Sequence, residues 1–219
     1  MKIPAHAKLV MIGDSITDAG RKQPVGEGLF GGLGTGYVAL VDGLLNSTYP
    51  ERQIRVVNMG CSGNTVLSLR DRWQRDVIDK KPDWLSIMIG INDVWRQFDE
   101  TLMTENFVTP DVYEKTLDEL VSQTLPVTKN IVLLSPYYLE PNRQDAMRAQ
   151  MDRYGKAVAR IAKKHHLTFV DVQAAFEKVL ANYYPAWLAW DRVHPHTVGH
   201  MTIARAFLDA VGYSWAGGK

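Results

Sequence analysis

Short apolar runs separated by longer amphipathic stretches constrain the possible fold of this chain more than any other feature. Lys8 to Ile12, Ile54 to Asn58, Trp84 to Ile91, Ile131 to Leu134 and Thr168 to Asp171 read as five buried strands. Val66, Leu69, Trp73 and Val77 recur at helical spacing, as do Met147, Met151, Tyr154, Val158 and Ile161, and later Met201, Ala204, Leu208 and Val211. Each stripe predicts a helix laid against a sheet. Strands alternating with helices imply parallel βαβ units, and right-handed crossovers make a three-layer α/β/α sandwich the economical solution.

The 219 residues suit one domain spanning 1–219, and a chain of that size buries roughly 70% of its unfolded surface on folding. Cys61 is the only cysteine, so an intramolecular disulfide is excluded and an oxidising compartment is not indicated. The opening Met-Lys-Ile-Pro-Ala-His-Ala-Lys runs straight into a predicted strand without the apolar core of a secretory signal, and a cytoplasmic location is expected. No apolar stretch approaches the roughly 20 residues that span a bilayer. The formal net charge of +1 gives no footprint for nucleic acid or an anionic membrane. A neutral or weakly charged small substrate fits better.

In open α/β sheets, ligands bind outside the carboxyl ends of the strands where strand order reverses. Ser15, within Gly-Asp-Ser-Ile-Thr-Asp, follows strand one; Gly60 to Thr65 follows strand two; Gly90-Ile91-Asn92-Asp93 closes strand three. Asp191 to His194 lies in a loop before the last helix, because Pro195 pushes His194 toward extended dihedrals, and Thr197 is placed to cap that helix. A hydroxyl is a poor nucleophile at neutral pH unless an imidazole removes its proton and a carboxylate fixes the imidazole's tautomer. Ser15, His194 and Asp191 supply those parts. Attack on an ester also needs donors aimed at the developing oxyanion, and Ser15 N–H, Gly63 N–H and the Asn92 amide are the candidates. Asp14 reads as a structural hydrogen-bonder.

These blocks, GDSITD, Gly-Cys-Ser-Gly-Asn-Thr, GIND and DRVHP, resemble the successive signatures of the SGNH, or GDSL, hydrolase superfamily. The resemblance implies a five-stranded parallel sheet of flavodoxin-like order, a shallow site and no metal or organic cofactor. It assigns Ser15 as nucleophile, Gly63 and Asn92 as oxyanion donors beside Ser15 N–H, and Asp191 with His194 as the rest of a triad. Ile91 stands where Thr is frequent, and a glycine-rich insertion from Gly26 to Gly36 bears on the shape of the acyl and alcohol pockets. The length and the DRVHPHTVGH ending are most similar to bacterial intracellular acetylesterases that act on xylan-derived oligosaccharides. That likeness implies an acetylated oligosaccharide substrate and a homo-oligomer. Trp95, Trp190 and Tyr184, with Tyr183 and Trp187 nearby, offer apolar faces suited to sugar rings, and for the three tryptophans core packing or a subunit interface is an equal alternative.

Competing readings explain less. His194, His196 and His200 with Asp191 resemble a metal cluster, but a second carboxylate group is missing and Ser15 and Asn92 stay unexplained. Gly26-Glu27-Gly28-Leu29-Phe30-Gly31 spells G-x-G-x-x-G far beyond the strand-to-helix turn where a dinucleotide would bind. No Walker lysine follows it, and the G-x-S-x-G elbow of α/β-hydrolases is absent. His165 and His166 are expected to mark a solvated helix terminus. A lysophospholipase, thioesterase or arylesterase keeps the same chemistry on other substrates, and a non-catalytic carbohydrate-binding α/β module keeps only the rim.

Overall fold

A computed structural model describes residues 1–216. Five strands, β1 (Lys8–Gly13), β2 (Arg55–Gly60), β3 (Trp84–Met88), β4 (Ile131–Leu134) and β5 (Thr168–Val170), pair in parallel in the order β2-β1-β3-β4-β5. This is the flavodoxin-like order implied above, and it reverses between β1 and β3. The helices are α1 (Ser15–Asp18), α2 (Tyr37–Thr48), α3 (Val66–Trp73), α4 (Ile91–Asp99), α5 (Pro110–Thr124), α6 (Ala146–Lys164), α7 (Val172–Leu180), α8 (Pro185–Leu188) and α9 (Thr197–Ala210). In one layer α5 packs on α3 and α6, and α4 packs on α6; in the other α9 packs on α2 and α7.

Helices on both faces explain why the strands read as continuous apolar runs instead of alternating ones. Leu9, Val10, Met11 and Ile12 are fully buried, and Leu85, Ile87, Val132 and Leu133 are nearly so. The stripe from Met147 to Ile161 lies on α6 and is buried throughout, and Asp145 starts that helix by accepting the Arg148 N–H. The last stripe lies on α9, ending at the Val211 cap, with Met201 only half-buried.

Several predicted boundaries move, each for a local reason. The apolar run taken as a strand to Ile91 splits: β3 ends at Met88, Gly90 adopts φ +129°, and Ile91 opens α4 with a buried first turn. Asn92 is therefore a helical residue, not a strand end. β1 extends to Gly13 and β2 covers Arg55–Gly60 instead of Ile54 to Asn58, so Gly60 still belongs to the sheet. β5 stops at Val170 because the Asp171 carboxylate accepts the Ala174 N–H and caps α7. The Val66 to Val77 stripe is an α-helix only to Trp73, followed by a π-helical turn over Gln74–Ile78 that keeps Val77 buried. The cap of α9 is the His196 ring, which accepts the Val198 N–H at 3.1 Å, and Thr197 is already helical.

Candidate active site

Ser15 owes its position to the abrupt end of β1. Asp14 accepts the Ile16 N–H at 3.0 Å and caps α1, while Ala19 turns left-handed at φ +41° and ends the helix after one turn. As first residue of that turn, Ser15 has a backbone N–H with no partner inside the helix. Its Oγ lies 2.8 Å from His194 Nε2. His194 Nδ1 lies 2.7 Å from Asp191 Oδ2, and the second carboxylate oxygen accepts the N–H groups of Val193 and His194, both at 2.9 Å. The loop is fixed from below: Tyr137 donates its hydroxyl to the Val193 carbonyl at 2.9 Å, and Leu139 N–H donates to Arg192 O at 3.0 Å.

This chain of bonds puts a proton on Nδ1 facing the carboxylate and the Nε2 lone pair toward the hydroxyl. Partial burial pushes the Asp191 carboxyl up, but bonds from the His194 ring and the two backbone N–H groups more than offset it, holding the group below the usual carboxylate range. Asp191 is therefore an anion at neutral pH, as stabilisation of an imidazolium requires.

The oxyanion candidates issue from three neighbouring strands at one level. Gly13 is the register partner of both Gly60 and Met88, and Ser15, Gly63 and Asn92 follow those three residues closely. Gly63 has φ +79°, and among the described residues nothing lies within 4 Å of where a Cβ would stand, so glycine answers a backbone requirement there and not crowding. Asn92 is buried in the first turn of α4 and donates one amide hydrogen to Asn64 O at 3.0 Å. A carboxamide has two such hydrogens, which leaves one for substrate. Ser62 ties this loop to the nucleophile's helix, its Oγ donating to Asp18 Oδ2 at 2.8 Å.

Asp14 and Asp93 are fully buried, and burial pushes both carboxyls up to about 7. Asp93 accepts the Val66 N–H at 3.0 Å with one oxygen, while its other oxygen has no partner among the described residues. Asp14 serves as a cap, as expected from sequence. A carboxyl whose folded value exceeds its unfolded value of about 4 is protonated more in the native state. Its contribution is complete below pH 4 and disappears as pH rises through 7. Each group gives a slope of up to about 1.4 kcal/mol per pH unit across that window. Asp93→Asn removes one of them, and urea titrations from pH 4 to 8 are expected to show a flatter decline than the parent; an unchanged slope would refute the assignment.

The histidines outside the chain have separate employment. His200 accepts the Tyr37 N–H through Nδ1 at 3.2 Å, and burial lowers it to about 4. The His196 ring caps α9 and stands nearly perpendicular to the Trp187 ring, their centres 4.6 Å apart. Among the described residues no group of three or more His, Cys, Asp or Glu side chains is placed to hold a metal. His165 ends α6 but is not solvated: its Nε2 lies 2.8 Å from Asp118 Oδ1, whereas His166 is exposed.

Of the predicted sugar-facing aromatics, Trp95 on α4 lies against the base, its ring centre 5.7 Å from that of His194, with the Arg96 guanidinium 4.8 Å over it. Trp190 and Tyr184 stand in solvent, 85% and 72% exposed, and neither packs into the core. Tyr183 and Trp187 stack at 4.7 Å beside them. The Gly26 to Gly36 insertion is strapped to the edge strand by Glu27, which takes both Arg55 Nε and Nη2 at 2.8 Å, and by Gly26 bridging Asn58. Its glycines lie outside the β1–α1 turn, and its tip exposes Leu29 and Phe30. Sequence reasoning assigns no role to Asn64, which lies in the oxyanion loop beside Gly63, or to the buried Arg72 that bonds it. The one available signal was an arginine inside an apolar stripe.

A doubly wound parallel sheet with a hydroxyl, an imidazole and a carboxylate linked at its carboxyl rim defines a serine hydrolase. The chain belongs to the GDSL-like Lipase/Acylhydrolase family, whose model matches residues 11–201. It is 60% identical over 215 residues to an acetylxylan esterase of Geobacillus stearothermophilus, covering 98% of each chain. Solved structures of Axe2, an acetylxylan esterase from Geobacillus stearothermophilus, include three described as catalytic mutants, S15A, H194A and D191A. The S15A structure has a TM-score of 0.98 and 58% identity over 100% of both chains. LAE5, described as an alpha/beta hydrolase enzyme from the metagenome of Lake Arreo in Spain, gives a TM-score of 0.95 at 58% identity, over 97% of this chain and 98% of that one. The protein is a carboxylic ester hydrolase.

Proposed function

We propose that this protein removes O-acetyl groups from xylan-derived oligosaccharides through an acetyl-serine intermediate. The observation that carries the reading is the continuous chain from Ser15 Oγ through the His194 ring to the Asp191 carboxylate. Serine, aspartate and histidine also stand at the numbers 15, 191 and 194 in the Axe2 variants described as catalytic mutants. Ser15 Oγ attacks the acetyl carbonyl while His194 Nε2 takes the hydroxyl proton. The oxyanion is held by Ser15 N–H, Gly63 N–H and Asn92 Nδ2, and loss of one such donor costs about 3 to 4 kcal/mol of transition-state stabilisation. Collapse expels the sugar oxygen, which receives the proton from His194. A water deprotonated by the same nitrogen then releases acetate and restores Ser15.

The sugar side of the ester is assigned to Trp190 and Tyr184, whose exposed rings suit the apolar faces of pyranose units, and Trp95 forms the wall beside the imidazole. No cofactor takes part in this scheme. We also propose that the protein works in the cytoplasm as a homo-oligomer, with self-association covering exposed apolar side chains such as Phe30 and Leu102. Sedimentation at the mass of a single chain, or export of the native protein, would refute these two points. No helix of the described residues is long and apolar enough to cross a membrane.

A series of aryl esters from acetyl to octanoyl tests the substrate reading. Each of the first added methylenes is expected to lower kcat/KM by about tenfold or more, since a site that selects the acetyl group would accept longer chains only with strain. Acetate release from acetylated xylo-oligosaccharides should accompany that fall. A series that rises with length would transfer the assignment to the lysophospholipase or thioesterase alternative.

A further inference from the structure

We infer that Arg72 is a positioning residue for the oxyanion hole, acting through Asn64; the inference rests on Ser15 being the nucleophile. Arg72 lies in the last turn of α3 with its side chain 9% exposed. Its Nη2 donates to Gly13 O at 2.9 Å, its Nη1 to Met59 O at 2.8 Å, and its Nε to Asn64 Oδ1 at 2.7 Å. One guanidinium therefore joins the carboxyl end of β1, the carboxyl end of β2 and the loop that carries Gly63.

Burying a cation is unfavourable unless its donors are matched, and well-packed hydrocarbon of similar volume is often at least as stabilising. What the hydrocarbon cannot do is hold three acceptors from three segments in one plane. The charge is balanced by Asp76, whose Oδ2 lies 3.0 Å from Arg72 Nη1 and whose other oxygen accepts Arg75 Nε at 2.7 Å. Asp76 sits in the π-helical turn after α3, and such turns recur at functional sites. Burial raises the Asp76 carboxyl, but the Arg75 and Arg72 bonds outweigh it and keep the group ionised.

Asn64 is the link from this buried cation to the chemistry. Its side chain is held by Arg72, its N–H donates to Cys61 O at 3.2 Å, and its carbonyl accepts the Asn92 amide at 3.0 Å. It also follows Gly63 directly in the chain. Displacing Asn64 consequently shifts two of the three oxyanion donors together. Donors act only within a few tenths of an ångström of the oxyanion's distance, and a shift of about 1 Å can reduce rate by about 100-fold.

The test compares N64A, R72K, N92A and the N64A/N92A pair, with kcat expressed per site titrated by a serine-reactive phosphonate so that unfolded material does not count. N64A leaves the strand-end bonds of Arg72 in place and so tests the link even if R72K folds poorly. N64A is expected to lower kcat by about tenfold or more with little change in KM. Inhibition by a tetrahedral boronate should weaken in parallel, and the pH profile should not move. In the N92A background the same change should have a smaller effect, because only its route through Gly63 remains. Equal effects of N64A in both backgrounds, or a per-site kcat for N64A near that of the parent, would overturn the inference. A parent protein that never reacts with the phosphonate would instead remove the esterase reading, and this inference with it.

Discussion

Replacing Ser15 with alanine is expected to lower kcat by about 10⁶-fold, the scale of loss when the nucleophile of a triad is removed. Its hydroxyl is the group bonded to His194 Nε2, so the variant leaves the imidazole with no oxygen to activate except water. A residual acceleration of about 10³ to 10⁴ over the uncatalysed reaction survives, because the oxyanion donors and the substrate contacts remain. Folding is expected to be unaffected: Asp14 still caps α1, and the Ser15 side chain has no other hydrogen-bond partner among the described residues. Intact-protein mass spectrometry after exposure to aryl acetate or phosphonate reads the result directly. A stable adduct on the alanine variant would mean that another residue is the nucleophile.

Asp191→Asn is expected to reduce kcat by about 10⁴-fold with the loop geometry preserved. The amide oxygen can still accept the N–H groups of Val193 and His194, which keeps the turn closed. Its NH₂ group, however, faces Nδ1 and favours the tautomer with the hydrogen on Nε2. That hydrogen points at the Ser15 hydroxyl, and the ring no longer accepts its proton. The negative charge that stabilises the imidazolium is also gone. Because the two residues act as one unit, the double variant with Ser15→Ala should be no slower than Ser15→Ala alone. Near-native turnover by the asparagine variant would end the role assigned to Asp191.

The parts of this molecule legible in its sequence are those governed by local rules. Buried parallel strands appear as apolar runs, and β4 (Ile131–Leu134) was bounded correctly by that signal alone. The β3 boundary failed because Ile89 and Ile91 extend the apolar run into a helix whose first turn is equally buried, so periodicity has nothing to distinguish. Gly90 was the available cue. His196 displaced Thr197 as cap because an imidazole nitrogen can accept the same backbone hydrogen as a hydroxyl. Ser15, Asp191 and His194 are recognisable because the proposed chemistry demands those functional groups, here just after β1 and in the loop before α9. Arg72 and Asn64 are not, since their importance arises from bonds across residues 13, 59, 64 and 92 that no linear pattern encodes.

The rings of Tyr184 and Trp190 project into solvent from the 183–190 segment, whereas the proton-transfer groups hang from the closely held rim of the sheet. Under the proposed function, glycan preference and bond-breaking fall to separable parts of one polypeptide. If that proposal holds, exchanging the outer aromatics changes the carbohydrate target and leaves the cleavage apparatus untouched, and diversification of this scaffold is best aimed there.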